Sequence, residues 1–254
     1  MPPPRPAFLT KHEQLLHVVH GEQTFVLTQS DDGVANGTTL WLGGQALAFY
    51  FAYALKTPAS GVAVELGSGI GLTALAVAAL GYSVLATDTA LIHNAVLARN
   101  IATNRGNLSL SGTVASCELD WRSEDALAAL PTEYRAPSLV FTADTLYSPD
   151  LVTPLLKTVH ALSLPSRATC YMCIERRDPA LVDAALAEAR DVWKFVVTRV
   201  PHKKLVQALK KGGVTDDALQ HGDWDDLEIW KLTHPKQSTH EQRTTEQAGN
   251  HNTE

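Results

Sequence analysis

The sequence predicts an α/β fold: one seven-stranded, mostly parallel sheet with helices on both faces, its last strands antiparallel, preceded by an N-terminal extension. Three observations carry this. From Val62 onward, short β-branched runs alternate with amphipathic helical segments, the pattern of successive strand–helix–strand units. Val62-Ala63-Val64-Glu65-Leu66 runs into glycines at 67, 69 and 71 and then into an apolar helical stretch, so a buried strand passes through a tight turn into a helix. The predicted strands also end in acids: Glu65, Asp88, Asp120 and Asp144 directly, and the fifth strand through Glu175.

Residues 1–20 are Pro-rich and then mixed, and Gln23-Thr24-Phe25-Val26-Leu27-Thr28 reads as a strand within an extension covering 1–39. Asp31-Asp32-Gly33 marks a turn. A buried helix follows at about 43–56, stopped by Pro58. The helix after Gly71 carries Leu72, Leu75, Ala76 and Ala79 on one face and stops at Gly81. Ser83–Thr87 is a second strand, and Leu91, Ala95, Ala98 and Ala102 are the predicted apolar face of the next helix. Residues 107–111 read as polar loop, 113–119 as a strand, and the Ala/Leu segment before Pro131 as a short helix.

Ser138–Ala143 is the fourth strand of the series. Ser148 is placed to cap a helix whose first residue is Pro149, with Leu151, Leu155, Val159 and Leu162 inward. Ala168–Ile174 is a strand, and Asp178-Pro179 opens another helix by the same logic. Phe195–Val200 and Leu227–Leu232 complete the set. The sheet domain therefore spans 40–233, and the polar residues 234–254 are expected to be a disordered tail.

The chain has 254 residues and a net charge of −6, which gives no general footprint for nucleic acid and suits a basic partner better. Leu40–Leu55, the most apolar long run, is too short and too interrupted for a membrane span. Three cysteines and no apolar leader point to a reducing compartment, cytoplasmic or nuclear. Cys170 and Cys173 share C-x-x-C spacing but sit at an odd offset in a strand, which sends their thiols to opposite faces and argues against a metal pair. His12 and His17 are five apart, not the four a zinc-binding helix needs. No metal site is expected.

The glycine spacing separates cofactor classes. A dinucleotide fold places its third glycine one position further on, where this chain has Leu72. Glu65-x-Gly67-x-Gly69-x-Gly71 instead resembles the first motif of Rossmann-like methyltransferases that bind S-adenosyl-L-methionine. Asp88 follows Gly67 by 21 residues, close to the ~20 at which an acid reaches a ribose diol. Asp120 is placed to accept from an adenine amino group and Trp121 to cover the ring. Ser148 already fills the helix-cap position, which leaves Asp144-Thr145-Leu146-Tyr147 as a polar loop free to meet substrate.

Asp144-x-x-Tyr147 after the fourth strand, with Trp41 upstream of the glycine motif, resembles the seven-β-strand protein lysine methyltransferases of family 16. The resemblance runs from about Trp41 to Leu232. Leu119-Asp120-Trp121, residues 99–104 and residues 227–232 are similar to the methyltransferase-like protein 22 branch of that family. The resemblance implies cofactor contacts at Trp41, Gly67, Asp88, Trp121 and Ala143, with Glu65, Gly69, Gly71 and Asp120 completing the cofactor side. It implies that Asp144 and Tyr147 serve the target lysine. It further implies a protein substrate bearing that lysine, met by a monomeric enzyme. Leu42-Gly43-Gly44-Gln45 departs from the family, which often has Asp or Arg after the tryptophan. A small-molecule methyltransferase of the same fold, and a non-catalytic S-adenosylmethionine-binding module, share the whole cofactor side. An adenine-N6 DNA methyltransferase is disfavoured because the loop lacks the two prolines of D-P-P-Y, and an oxidoreductase by the glycine spacing.

Overall fold

A computed structural model describes residues 4–30, 36–55, 61–107 and 112–236. Strand periodicity sets the architecture. β3 (Val62–Leu66), β4 (Ser83–Asp88), β5 (Thr113–Glu118), β6 (Leu139–Ala143) and β7 (Thr169–Glu175) lie parallel, while β9 (Leu227–Thr233) runs antiparallel to β7 and to β8 (Val196–Arg199). Among the described residues these seven strands form one sheet in the order β5-β4-β3-β6-β7-β9-β8. The chain builds outward from β3 to β5, then returns to place β6 on the other side of β3. That reversal opens a crevice at the carboxyl ends of β3 and β6.

Alternate side chains of each strand feed two cores. Ala63, Val84, Ala86 and Phe141 face α1 (Leu42–Ala54), α2 (Leu72–Ala79) and α7 (His202–Lys211). Val64, Leu66, Leu85 and Val140 face α5 (Pro149–Ser163) and α6 (Pro179–Asp191). Cys173 belongs to the first core and Cys170 to the second, the opposite-face placement expected from their odd spacing. Phe51 of α1 meets Phe141 and Tyr171 edge-on at 5.3 and 5.4 Å, which fixes α1 across the sheet beside the crevice. Among the described residues no helix is long and apolar enough to cross a membrane.

Several local expectations need correction. After β4, α3 (Ala90–Ile92), a π turn (His93–Leu97) and α4 (Ala98–Asn104) run end to end. Their buried side is Ile92, Val96, Leu97, Asn100, Ile101 and Asn104, while Leu91 is 54% exposed. The expected alanine face is the outer one, because two asparagines occupy the inner stripe. Their amides bind backbone. Asn100 accepts from Thr28 N and donates to Thr28 O and Ile70 O; Asn104 accepts from Val26 N and donates to Val26 O. In this way they pair with the edge of β2 (Gln23–Thr28), whose other edge pairs with β1 (Leu15–His20). Asn100 thereby ties the N-terminal hairpin to the glycine turn.

β1, α7 and α8 (Asp216–Gln220) had no counterpart in the sequence reading. The Ala/Leu segment before Pro131 is a single 3-10 turn, Ala126–Ala129. Ser148 does occupy the cap position of α5 with Pro149 next, but its side chain makes no cap hydrogen bond; Asp178 caps α6 through Leu181 N. His234 bonds Ser163 and packs on Phe195, and Pro235 O accepts from Arg167, so the domain extends past 233. The expected turn at 31–33, most of the loop at 107–111 and the remainder of the expected tail, 237–254, lie outside the described residues.

Candidate active site at the strand ends

The crevice holds a cleft of about 490 Å³ lined by nine of the eleven residues singled out in the sequence: Trp41, Gly67, Gly69, Asp88, Asp120, Trp121, Ala143, Asp144 and Tyr147. A larger cleft, about 630 Å³, lies between the hairpin, α1 and α7 and contains none of the strand-end acids. The chemistry is concentrated in the smaller one.

Its floor is the glycine turn. Gly67, Gly69 and Gly71 have φ of 71°, 54° and 89°, a left-handed sequence that L side chains rarely adopt. At Gly67 there is also no room: a Cβ would stand 2.6 Å from the Thr145 methyl and 3.2 Å from the Trp121 ring. The turn thus presents bare backbone to the cleft beside an indole wall. Gly71 starts α2 and does not line the cleft; a Cβ there would meet Leu97 and Ile101.

Asp88, at the end of β4, is buried. Its carboxylate accepts from Gly69 N at 2.9 Å and from Thr89 N at 2.8 Å. Burial raises its pKa, and those two amides oppose the rise by holding the anion. Glu65 is 1% exposed and does not line the cleft. Strand alternation turns it toward α2, so it supports the turn from behind. Burial raises its pKa to about 8, against the influence of Ser68, Thr73 and the amide of Ala74, and its Oε2 has no hydrogen-bond partner among the described residues. Asp120 lines the cleft with its carboxylate already paired to Arg122, at 2.9 and 2.7 Å, which lowers its pKa. A carboxylate offers about four acceptor positions, so the pair leaves capacity for a further donor. Trp121 Nε1 is buried without a partner among the described residues.

Asp144 corrects the sequence reading most. Its loop reaches the cleft, but its carboxylate is not free. With φ at 53° the residue turns its side chain beneath α1, where Oδ2 accepts from Gly43 N at 2.6 Å and Oδ1 from Glu175 N at 2.9 Å. It caps α1 from another segment and splices α1 to the end of β7. Burial raises its pKa; the two amides and Arg177 oppose that. Tyr147, three residues on, is 58% exposed at the mouth. Thr145, read in the sequence only as part of that loop, joins Thr142 at 2.8 Å, and Thr142 in turn donates to Leu66 O, bracing the loop against β3. Arg177 and Gly37 also line the cleft without having been foreseen. Only the segment positions of these residues, just past a strand and just before the tryptophan, carried any signal.

A bare glycine backbone, a buried acid held by two amides and an aromatic wall with an unpartnered N–H suit an adenosine-bearing ligand. Together with the doubly wound sheet they define a class I S-adenosylmethionine-dependent methyltransferase. Residues 21–185 match the family described as "Lysine methyltransferase". The chain belongs to that family, and S-adenosylmethionine is its cofactor.

Solved structures similar to this chain include a predicted O-methyltransferase from Agrobacterium tumefaciens, 16% identical, covering 75% of this chain and 81% of that one, with a TM-score of 0.49. A putative RNA methyltransferase from Pyrococcus horikoshii is 16% identical over 77% and 86%, TM-score 0.48. Magnesium protoporphyrin IX methyltransferase from Synechocystis PCC 6803, with bound SAM, is 12% identical over 76% and 78%, TM-score 0.46.

Proposed function

We propose that this protein transfers methyl groups to a lysine ε-amine of a protein substrate in the cytoplasm or nucleus. The observation that carries the reading is the open mouth of the cleft. There the exposed Tyr147 and Arg177 and the half-buried Trp41 stand at the rim, where a side chain carried on a large partner has access from outside. A closed chamber would favour a small metabolite instead.

When bound, S-adenosylmethionine supplies a methyl group on a sulfonium. Gly67 and Gly69 would let it approach the backbone, Asp88 would hold its ribose hydroxyls and Trp121 would cover its base. Asp144 is a positioning residue: by fixing the start of α1 to the end of β7 it sets where Trp41 and Arg177 stand. Tyr147 offers a hydroxyl to the incoming amine. A free lysine has a pKa of ~10.4, so presenting it neutral at pH 7 costs roughly 4–5 kcal/mol. Desolvation of the amine in the cleft favours its neutral form, and the lost proton passes to water. Orientation then supplies most of the remaining rate.

The test is to incubate purified protein and labelled cofactor with cell extract from which the protein has been removed, and to map the label by mass spectrometry. Label on lysines of a defined protein supports the reading. Label confined to metabolites would replace it with a small-molecule methyltransferase, and no label at all with a binding module.

A further inference from the structure

We infer that the Trp41 indole is a seat for a primary alkylammonium, and that Lys11 of the N-terminal extension is the resident occupant that a substrate lysine displaces. The substrate half of this rests on the lysine reading above; the seat itself does not.

Two cations lie over the ring: Lys11 Nζ at 3.8 Å from its centroid and the Arg177 guanidinium at 4.6 Å. The ring is held in place, since Nε1 donates to Asn36 O and the backbone of Trp41 caps α1. Trp41 and Arg177 are shared by two neighbouring spaces. One is the cofactor cleft; the other is a small cavity of about 200 Å³ in which Lys11, Phe8 and Glu175 join them. An ammonium on this ring therefore sits beside the cofactor cleft, at the side from which a partner's side chain enters.

The two cations are held differently. Arg177 is ion-paired to Glu175 at 2.5 Å. Lys11 makes no ion pair among the described residues, and the electron-rich face of the indole is what holds it. Cation–π attraction for an alkylammonium is the same whichever chain supplies the ammonium, so an incoming lysine competes with Lys11 on equal chemistry. Lys11 is the one that yields, because Arg177 would have to leave its carboxylate. The extension thus carries a copy of the substrate's own head group, and substrates must outcompete it.

The experiment uses the full chain without cofactor and n-butylammonium, the head of a lysine side chain, as probe. The indole N–H resonance of Trp41 is assigned by its disappearance in Trp41→Phe. Titration should shift it, n-butanol at the same concentrations should not, and Lys11→Ala should bind the probe about two- to fivefold more tightly than wild type. Lys11→Met, which keeps the apolar stem, should behave like Lys11→Ala if either variant alters the melt. No shift with butylammonium or an equal shift with butanol would overturn the seat, and unchanged affinity in both Lys11 variants would overturn Lys11 as its occupant. Lysine labelling in extract with no response at Trp41 would remove the seat and leave the function. A response at Trp41 with no protein labelled would remove the function and leave an ammonium seat.

Discussion

The Asp144 carboxylate accepts the Gly43 amide at 2.6 Å, and a Cβ on Gly43 would stand 2.7 Å from all three atoms of that carboxylate. One contact thus explains both the buried acid and the glycine at position 43. Gly43→Ala forces the carboxylate off the amide or α1 off the sheet. Overpacking of this kind costs about 1–3 kcal/mol. For a chain of this size the thermal midpoint should fall by several degrees. An unchanged melt would mean the contact relaxes freely.

Removing the acid tests the other partner. Asp144→Ala leaves the Gly43 and Glu175 amides without acceptors in a buried site. Charged hydrogen bonds contribute about 1.5–3 kcal/mol each, so a loss of roughly 3 kcal/mol or more is expected. Asp144→Asn keeps one acceptor oxygen and should recover part of it. Denaturant unfolding of both variants checks this. Full stability in Asp144→Ala would return the residue to a purely catalytic role, as a free loop carboxylate.

Glu65 sets a pH dependence. Its folded pKa of about 8 lies above the ordinary value of 4.5. Between those values the native state holds a proton that the unfolded chain has lost, so this contribution to stability is complete below pH ~4.5 and declines as pH rises toward 8. Over that window the loss is on the order of a few kcal/mol. Glu65→Gln mimics the protonated acid at every pH. It should match wild type near pH 4.5, exceed it near pH 8.5, and have the flatter stability profile by urea unfolding. Parallel profiles would place the titration elsewhere.

The parallel core was legible because it is written in local pattern. Each of its strands is a short run bounded by turn or helix signals, and each helix except the one after β4 follows its apolar stripe. That the glycine turn, Asp88 and Trp121 meet at the crevice was legible for the same reason, since they lie at fixed offsets from strand ends. What escaped was encoded in pairings distant in sequence. Asn100 and Asn104 look like the polar side of a helix until β2 supplies backbone for their amides. Asp144 looks free until Gly43, 101 residues earlier, supplies a donor. β1 alternates poorly, with Leu15 50% exposed, because it covers only one side of a two-stranded sheet. His234 looks like the start of a polar tail until Phe195 and Ser163 receive it.

The two asparagines give a further expectation. Both are fully buried, and each satisfies the N–H and C=O of one β2 residue. Asn104→Ala removes both bonds at Val26 and should cost about 2–4 kcal/mol, through two orphaned backbone groups. Asn100→Ala should cost at least as much and also loosen the glycine turn, because its Nδ2 holds Ile70 O. Hydrogen exchange should show early opening of β1 and β2 in both variants, and of residues 67–71 only in Asn100→Ala. Equal protection of the hairpin in wild type and variants would count against the amide pairing as its anchor.

Asp88 and Trp121 are the proposed cofactor contacts, and the two should fail in different ways. Trp121 closes over the glycine floor, with its ring 3.2 Å from where a Gly67 side chain would begin. Base–aromatic stacking is worth about 1–3 kcal/mol, so Trp121→Ala should weaken S-adenosylhomocysteine binding by about ten- to a hundredfold. Trp121→Phe should keep part of the affinity, since a smaller ring face remains. Asp88 acts twice: it holds the Gly69 amide at 2.9 Å and faces the cleft. Asp88→Asn keeps an acceptor for Gly69 but loses the charge, whereas Asp88→Ala loses both. Asparagine should therefore lower affinity with little change in the melt, and alanine should lower both. Calorimetry with S-adenosylhomocysteine beside thermal melts separates these outcomes. Wild-type affinity in Trp121→Ala and Asp88→Asn alike would move the cofactor out of this cleft.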